Sequence, residues 1–247
     1  MTKLTLSATR ILVAGLLLVS AWSVVAANLS PEELQSLDQA GLEAYVGGDF
    51  PTALARFMRD AKTGDAGSMY FVGFMLQNGE GTPKNYQEAN RWFHLAAQKG
   101  NAEAMASLGK VYSDGLGVLQ DFASSFKWYQ TAASHGSSTA MLSLALAYAH
   151  GRGVTQDYST AASWFKACSE AGAPICMVSF GNYLKSGVGI DKDLVSAYAW
   201  FNLAAARRFS MSDIAASSRD EIGRQLSAEQ LSQAQALSFQ FAKNSRR

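Results

Sequence analysis

Residues 101–136 read NAEAMASLGKVYSDGLGVLQDFASSFKWYQTAASHG, and the same landmarks return along the chain at a constant step of 36 residues. Each copy carries a methionine near its start, a glycine pair in its middle and a tryptophan near its end. The methionines are Met69, Met105, Met141 and Met177, and the tryptophans are Trp92, Trp128, Trp164 and Trp200. Internal similarity with a period of roughly 20–50 residues is typical of stacked supersecondary units. The sequence therefore predicts four repeats, over 65–100, 101–136, 137–172 and 173–208.

Each repeat is predicted to form two helices. In the quoted copy, Met105, Leu108 and Tyr112 recur at helical spacing. A second helix is predicted between Asp121, whose side chain can cap a first turn, and Gly136, which tolerates the left-handed conformation that ends helices. The glycine pair between the helices is predicted to serve a turn. Because one hairpin cannot bury its apolar face alone, stability must come from stacked neighbours.

With substitutions at single positions, the four copies follow the pattern A-x-A-M-x-x-L-G-x-x-Y-x-x-G-x-G-V-x-x-D-[FY]-x-x-[AS]-x-x-W-[FY]-x-x-A-A-x-x-G. This pattern resembles the Sel-one-like repeat, a relative of the tetratricopeptide repeat. The resemblance covers 65–208 and departs from the pattern in two loops, at Thr82 and Ile190, while 28–64 resembles a shortened first repeat. It implies an all-α fold, a right-handed α-solenoid of stacked helical hairpins.

The two ends of the chain differ from the repeats. Lys3 and Arg10 precede an apolar run over 11–21, and small residues follow up to Ala27. The run is shorter than the roughly 20 residues of a membrane span, so 1–27 is predicted to be a cleaved signal peptide, with an uncleaved anchor as the alternative. The predicted location is the periplasm or the cell exterior.

The pattern of the repeats is lost over 209–247. Two polar-faced helices are predicted there, over 212–225 and 228–243. Ser227 and Gln230 have the spacing of a capping box at the start of the second helix. A solenoid needs a polar end to cover its last core face, so this region is predicted to be a C-terminal cap.

The charge balance excludes two classes of partner. The full chain has 21 Lys and Arg against 20 Asp and Glu. Removing 1–27 takes away Lys3 and Arg10 and no acidic residue, which leaves a net charge of −1. A nucleic-acid binder needs a basic stripe, and an electrostatic membrane binder needs a basic patch. We therefore predict no nucleic-acid partner and no stable membrane insertion after cleavage.

The cysteines occupy one matched pair of repeat positions. Cys168 and Cys176 replace small residues that the other repeats have as Ala96 with Ala104, Ala132 with Ala140, and Ala204 with Ser212. Small residues at both places indicate closely approaching backbones, which a disulfide requires. A secretion signal favours oxidation, and the alternative is two buried thiols. Cysteine-rich bacterial Sel-one-like proteins bridge these positions, so the resemblance implies a structural disulfide.

Signals for catalysis are weak. The motif S-x-x-K occurs at Ser107 with Lys110, Ser124 with Lys127, and Ser163 with Lys166, and K-T-G at 62–64. In serine β-lactamases and penicillin-binding enzymes these motifs occur in the opposite order, with S-D-N, which is absent here. His94, His135 and His150 lack the spacing of metal ligands. We predict no enzyme, no metal site and no cofactor.

What remains is recognition of a partner. In tetratricopeptide-like arrays the first helix of each hairpin lines the concave face. By that register the binding surface comprises Tyr70, Phe74, Asn78, Lys110, Asp114, Leu142, Leu146, His150, Asn182 and Lys185, which vary between repeats. The alternative for the apolar members is burial between adjacent hairpins. The sequence thus favours a bacterial cell-envelope adaptor that binds a protein or peptide; the alternatives are a peptidoglycan- or β-lactam-binding protein and a periplasmic assembly helper.

Overall fold

The computed structural model describes residues 37–207 and 209–244. In these residues the regular structure consists of twelve α-helices. They are α1 Gln39–Val46, α2 Phe50–Thr63, α3 Ala66–Asn78, α4 Tyr86–Gln98, α5 Ala102–Asp114, α6 Phe122–Ser134, α7 Ser138–His150, α8 Tyr158–Glu170, α9 Pro174–Ser186, α10 Leu194–Ala205, α11 Ser212–Gly223 and α12 Ala228–Asn244. The predicted signal peptide lies outside the described residues. The predicted all-α class of consecutive helical hairpins is confirmed.

The predicted start and stop signals act as helix caps. Asp121 Oδ1 accepts hydrogen bonds from the backbone N–H groups of Ala123 and Ser124, at 2.9 and 3.1 Å, at the start of α6. Gly115 ends α5 in the left-handed conformation, with φ +70°. Since these residues recur in the other repeats, local capping sets the same hairpin boundaries each time.

Glycine lets the two helices of a hairpin approach closely. A Cβ atom added at Gly109 on α5 would lie 2.6 Å from the ring of Tyr129 on α6. The same atom at Gly73 would lie 2.7 Å from the ring of Phe93. In these two hairpins the aromatic ring of the second helix therefore packs directly on the backbone of the first helix.

The described chain divides into two compact units, over 37–137 and 138–244. The first contains α1–α6, in which each helix packs on the next. Its core is built from large apolar side chains that are almost fully buried, and the rings of Phe57 and Phe71 stack at 4.8 Å. The shortened hairpin α1–α2 is continuous with this core, since Tyr45 packs on Phe71 at 6.1 Å.

The second unit contains α7–α12, and both terminal helices pack on α10. Lys185 Nζ pairs with Glu221 Oε2 at 2.7 Å, and Asn202 Nδ2 donates to Ser238 Oγ at 2.9 Å. The partners in both pairs are 36 residues apart in the chain. Helices α11 and α12 thus take the place of a further hairpin, although the sequence pattern of the repeat is absent there.

The two cysteines form a disulfide. Cys168 on α8 and Cys176 on α9 are bonded, with 5.7 Å between their Cα atoms. Both residues are fully buried. The predicted bridge is confirmed, and the alternative of two buried thiols is wrong. It joins the second helix of one repeat to the first helix of the next.

Candidate functional site

The predicted binding residues fall into rows, because first helices α3, α5, α7 and α9 present the same register positions. One row is largely core. It comprises Tyr70, Ala106, Leu142 and Val178, of which only Leu142 is more than 9% exposed. Tyr70 is 5% exposed, and its ring lies 6.1 Å from that of Phe93. This row therefore holds the hairpins together, and Tyr70 does not present its ring to solvent.

Two other rows reach the surface in every repeat. The first is Phe74, Lys110, Leu146 and Asn182, and the second is Asn78, Asp114, His150 and Ser186. Both rows hold four different side chains over a constant frame. The sequence prediction omitted Ser186, although its spacing of 36 residues from His150 would have identified it. We call these eight residues the first-helix surface.

In the first unit this surface is partly self-paired. Lys110 Nζ and Asp114 Oδ2 form an ion pair at 2.6 Å along one face of α5. Asn78 Nδ2 donates to Glu80 Oε1 at 3.4 Å. Phe74 is half-buried, with its ring 6.2 Å from that of Tyr70. Its ring is the apolar element of this part of the surface.

A hydrogen bond to Glu80 connects the shortened hairpin α1–α2 to the first full repeat. Tyr45 Oη donates to Glu80 Oε2 at 2.9 Å. Burial raises the pKa of the Glu80 carboxyl, although the hydrogen bonds from Tyr45 and Asn78 act to lower it. Burial also raises the pKa of the Tyr45 hydroxyl, and the nearby Glu80 carboxylate adds to this. This contact holds the loop after α3 beside the first-helix surface.

In the second unit the surface is more apolar. Leu146 is 42% exposed, and Leu142 below it is half-buried against the core. His150 and Asn182 are exposed beside them. Lys185 is the only Lys, Arg, Asp or Glu on α7 and α9. Its hydrogen bond to Glu221 lowers the pKa of that carboxyl, so Lys185 is bound to α11.

The serine and lysine pairs of the S-x-x-K matches are not hydrogen-bonded to each other in the described structure. Ser124 Oγ donates to Asp121 Oδ2 at 2.6 Å, and Ser163 Oγ donates to the carbonyl of Ser159 at 3.1 Å. Lys110 pairs with Asp114, and Lys166 lies 3.9 Å from Glu170. The Ser124 and Ser163 hydroxyls thus donate to groups other than the paired lysines. The K-T-G match lies at the end of α2, with Gly64 as its C-cap.

His94 is a titratable contact between two second helices. Its ring on α4 meets the indole of Trp128 on α6 edge to face, at 5.4 Å. Burial lowers the pKa of His94 from its ordinary value of 6.5. The folded chain therefore favours the neutral ring.

We expect His94→Gln to weaken the pH dependence of stability on the acid side. Because the folded pKa is lowered, the contribution of His94 is complete above about pH 6.5 and is lost as pH falls through the folded pKa. Urea midpoints at pH 7.5 and 5.0 should therefore differ less in the variant than in the parent. His135→Gln, at an exposed position, is the matched control. An unchanged difference in His94→Gln would contradict this account.

Two further features bear on the chemistry of residues 37–207 and 209–244. They contain no group of three or more histidine, cysteine, aspartate or glutamate side chains able to hold a metal ion. No helix in this part of the chain is long and apolar enough to cross a membrane.

Comparison with known proteins places these repeats in a family. The profile of the Sel1 repeat matches residues 66–101, 102–137, 138–172 and 177–208, which together make up more than half of the chain. The chain belongs to the Sel1 repeat family. Proteins with Sel1 repeats generally mediate protein–protein interactions, and the fold is typically a non-catalytic scaffold. No curated protein matched the sequence.

Two solved structures are similar to this Sel1 repeat protein. One is c5321, a protective antigen present in uropathogenic Escherichia coli strains that displays an SLR fold, with 30% identity and a TM-score of 0.68. The match covers 78% of this chain and 41% of that one. The other is a Sel1 repeat protein from Oxalobacter formigenes, with 28% identity, a TM-score of 0.61, and coverage of 67% and 48%. The chain thus spans less than half the length of either relative.

Proposed function

We propose that this Sel1 repeat protein is a non-enzymatic adaptor of the bacterial cell envelope that binds a protein partner through its first-helix surface. The observation that carries the proposal is the pair of surface rows. Seven of the eight residues are exposed and Phe74 is half-buried, while the chemistry of each row changes from repeat to repeat. A constant frame with varying exposed side chains favours recognition of one particular partner.

The chemistry of the surface indicates what the partner presents. In the second unit, Leu146 offers an exposed aliphatic side chain on a helix without Lys, Arg, Asp or Glu. In the first unit, Phe74 occupies the same register position as Leu146, and the following repeat carries the Lys110–Asp114 pair. Apolar anchors inside a polar rim are the usual composition of a protein-binding surface. We therefore infer a partner segment with apolar anchors.

Location in the cell envelope is part of the proposal. The buried Cys168–Cys176 disulfide is consistent with an oxidising compartment such as the periplasm. The signal-peptide pattern over 1–27 supports the same location from the sequence.

The test is cross-linking of the tagged protein in cells, followed by mass spectrometry. We expect one dominant protein with the parent, and at least about tenfold less of it with Phe74→Asp combined with Leu146→Asp. Leu119→Asp is the matched control, because Leu119 is 91% exposed in a loop outside the surface. Since Phe74 is half-buried, Leu146→Asp combined with Lys110→Glu is a second variant at exposed positions.

If a folded double variant captured as much of the protein as the parent does, the first-helix surface would not be the binding site. Recovery of peptidoglycan fragments in place of a protein would favour the cell-wall alternative, and labelling with penicillin would then be the next measurement.

A further inference from the structure

Helix α12 shows what can bind to a second helix of this protein. Phe241 stacks on Trp200 of α10 with 4.3 Å between ring centroids and 13° between ring planes. Asn202 Nδ2 donates to Ser238 Oγ at 2.9 Å, and Leu203 is only 6% exposed. We call the tryptophan of a second helix, together with the leucine three residues later, its Trp–Leu face. On α10 this face is covered by a helix.

The same register positions on α4 hold Trp92 and Leu95. Here the face is uncovered, since Leu95 is 43% exposed and Trp92 is half-buried. No ring contact to Trp92 occurs in the described part of the chain. The other two second helices carry Thr131 and Ala167 in place of the leucine. Among the second helices of the four repeats, α4 therefore differs from α10 because its Trp–Leu face is uncovered, and from α6 and α8 because it has the leucine.

Charge distinguishes the face of α4 from that of α10. Trp92 and Leu95 line a depression of about 330 Å³ together with Asn85, Gln87, Glu88 and Arg91. Arg91 stands where α10 has the buried Ala199. It forms no ion pair with any residue that the structure describes. A helix docked here would meet the guanidinium group of Arg91 at a register position that holds a methyl group on α10. Glu88, one turn before Arg91, accepts a hydrogen bond from Asn85 Nδ2 at 3.2 Å.

We propose that the Trp–Leu face of α4 binds an amphipathic helix of another protein, which presents an aromatic ring to Trp92 and a carboxylate to Arg91. Tryptophan and arginine are the residues that most often dominate binding energy at interfaces. A second copy of the chain fits less well. Its α12 exposes Phe239 beside Lys243, and the one acidic residue of that helix, Glu229, is ten positions away. This surface lies on a second helix, so it is distinct from the first-helix surface.

The probe is a labelled synthetic peptide of residues 226–244 that carries Ser238→Asp. Phe241 of the peptide can stack on Trp92 as it does on Trp200. Ser238 meets Asn202 on α10, and the equivalent residue of α4 is His94, three residues after Arg91, so the new carboxylate is expected within one turn of Arg91. The face of α10 is already covered by α12 in the full chain, so binding reports on an open face. Fluorescence anisotropy should show saturable binding that weakens about tenfold with Leu95→Asp and with Arg91→Glu. Thr131→Asp, at the same register on α6, should leave binding unchanged.

Three results would overturn the proposal. They are no saturation up to about 1 mM protein, equal weakening by Leu95→Asp and Thr131→Asp, and a dimer of the parent in sedimentation that Leu95→Asp dissociates. The last result would mean that a second copy covers the face. Because Arg91 is an exposed surface residue, Arg91→Glu keeps the test decisive even if Leu95→Asp fails to fold.

Discussion

Replacing Gly189 with alanine is expected to lower the free energy of unfolding by about 2–5 kcal/mol. Two costs combine at this position. Gly189 has φ +67°, a left-handed conformation that costs an L-residue about 1–2 kcal/mol. An added Cβ would also overlap the backbone carbonyl of Tyr158 at the start of α8. Backbone cannot move aside as a flexible side chain can, so overpacking adds about 1–3 kcal/mol.

Gly151 is the matched control, because it has the same φ of +67° in the same unit. Its added Cβ would make ordinary contacts at 3.5 Å with Gln156 and with the carbonyl of Val154. Gly151→Ala should therefore lose only the conformational part, about 1–2 kcal/mol. Urea unfolding followed by far-UV circular dichroism measures both variants. Equal losses would mean that the loop of one repeat does not press on the preceding repeat.

The repeat period explains why so much of the fold was predictable. Four copies of the same tryptophan and glycine pair, each with an Asn or Asp cap, fix hairpin boundaries that one copy would leave uncertain. The second glycine of the pair was predicted only to serve a turn. The structure shows that it also lets the loop meet the preceding repeat, as Gly117 meets Tyr86. A period reports which residues are equivalent but does not report which neighbour each one contacts.

The candidate site was harder to predict for the same reason. Helical periodicity gives the side of a helix on which a residue lies, but not how deeply the neighbouring hairpin covers that side. Tyr70 and Phe74 lie one turn apart on α3, and the first is core while the second is half-buried. Lys185 faces the predicted surface by register, yet it pairs with Glu221 of α11. Glu221 lies in the C-terminal region, where the 36-residue sequence pattern is absent, so the pattern could not predict this ion pair.

Replacing both Cys168 and Cys176 with alanine is expected to lower the free energy of unfolding by roughly 2–3 kcal/mol. The two cysteines are eight residues apart, and closing so short a loop restricts the unfolded chain less than a long loop would. Packing should change little, because the equivalent Ala96 and Ala104 are fully buried in another repeat. The expected loss therefore comes mainly from the absent cross-link.

The reduced parent separates the cross-link from the loss of two sulfur atoms. Urea unfolding of the parent in dithiothreitol should give a midpoint close to that of the double alanine variant, and the reductant should leave the variant unchanged. A reduced parent as stable as the oxidised one would contradict a stabilising role for the bridge. Since the bond joins α8 to α9, loss of protection should begin at these helices, which hydrogen exchange can locate. A uniform loss across the second unit would instead show that neighbouring repeats unfold together, as strong coupling between stacked hairpins requires.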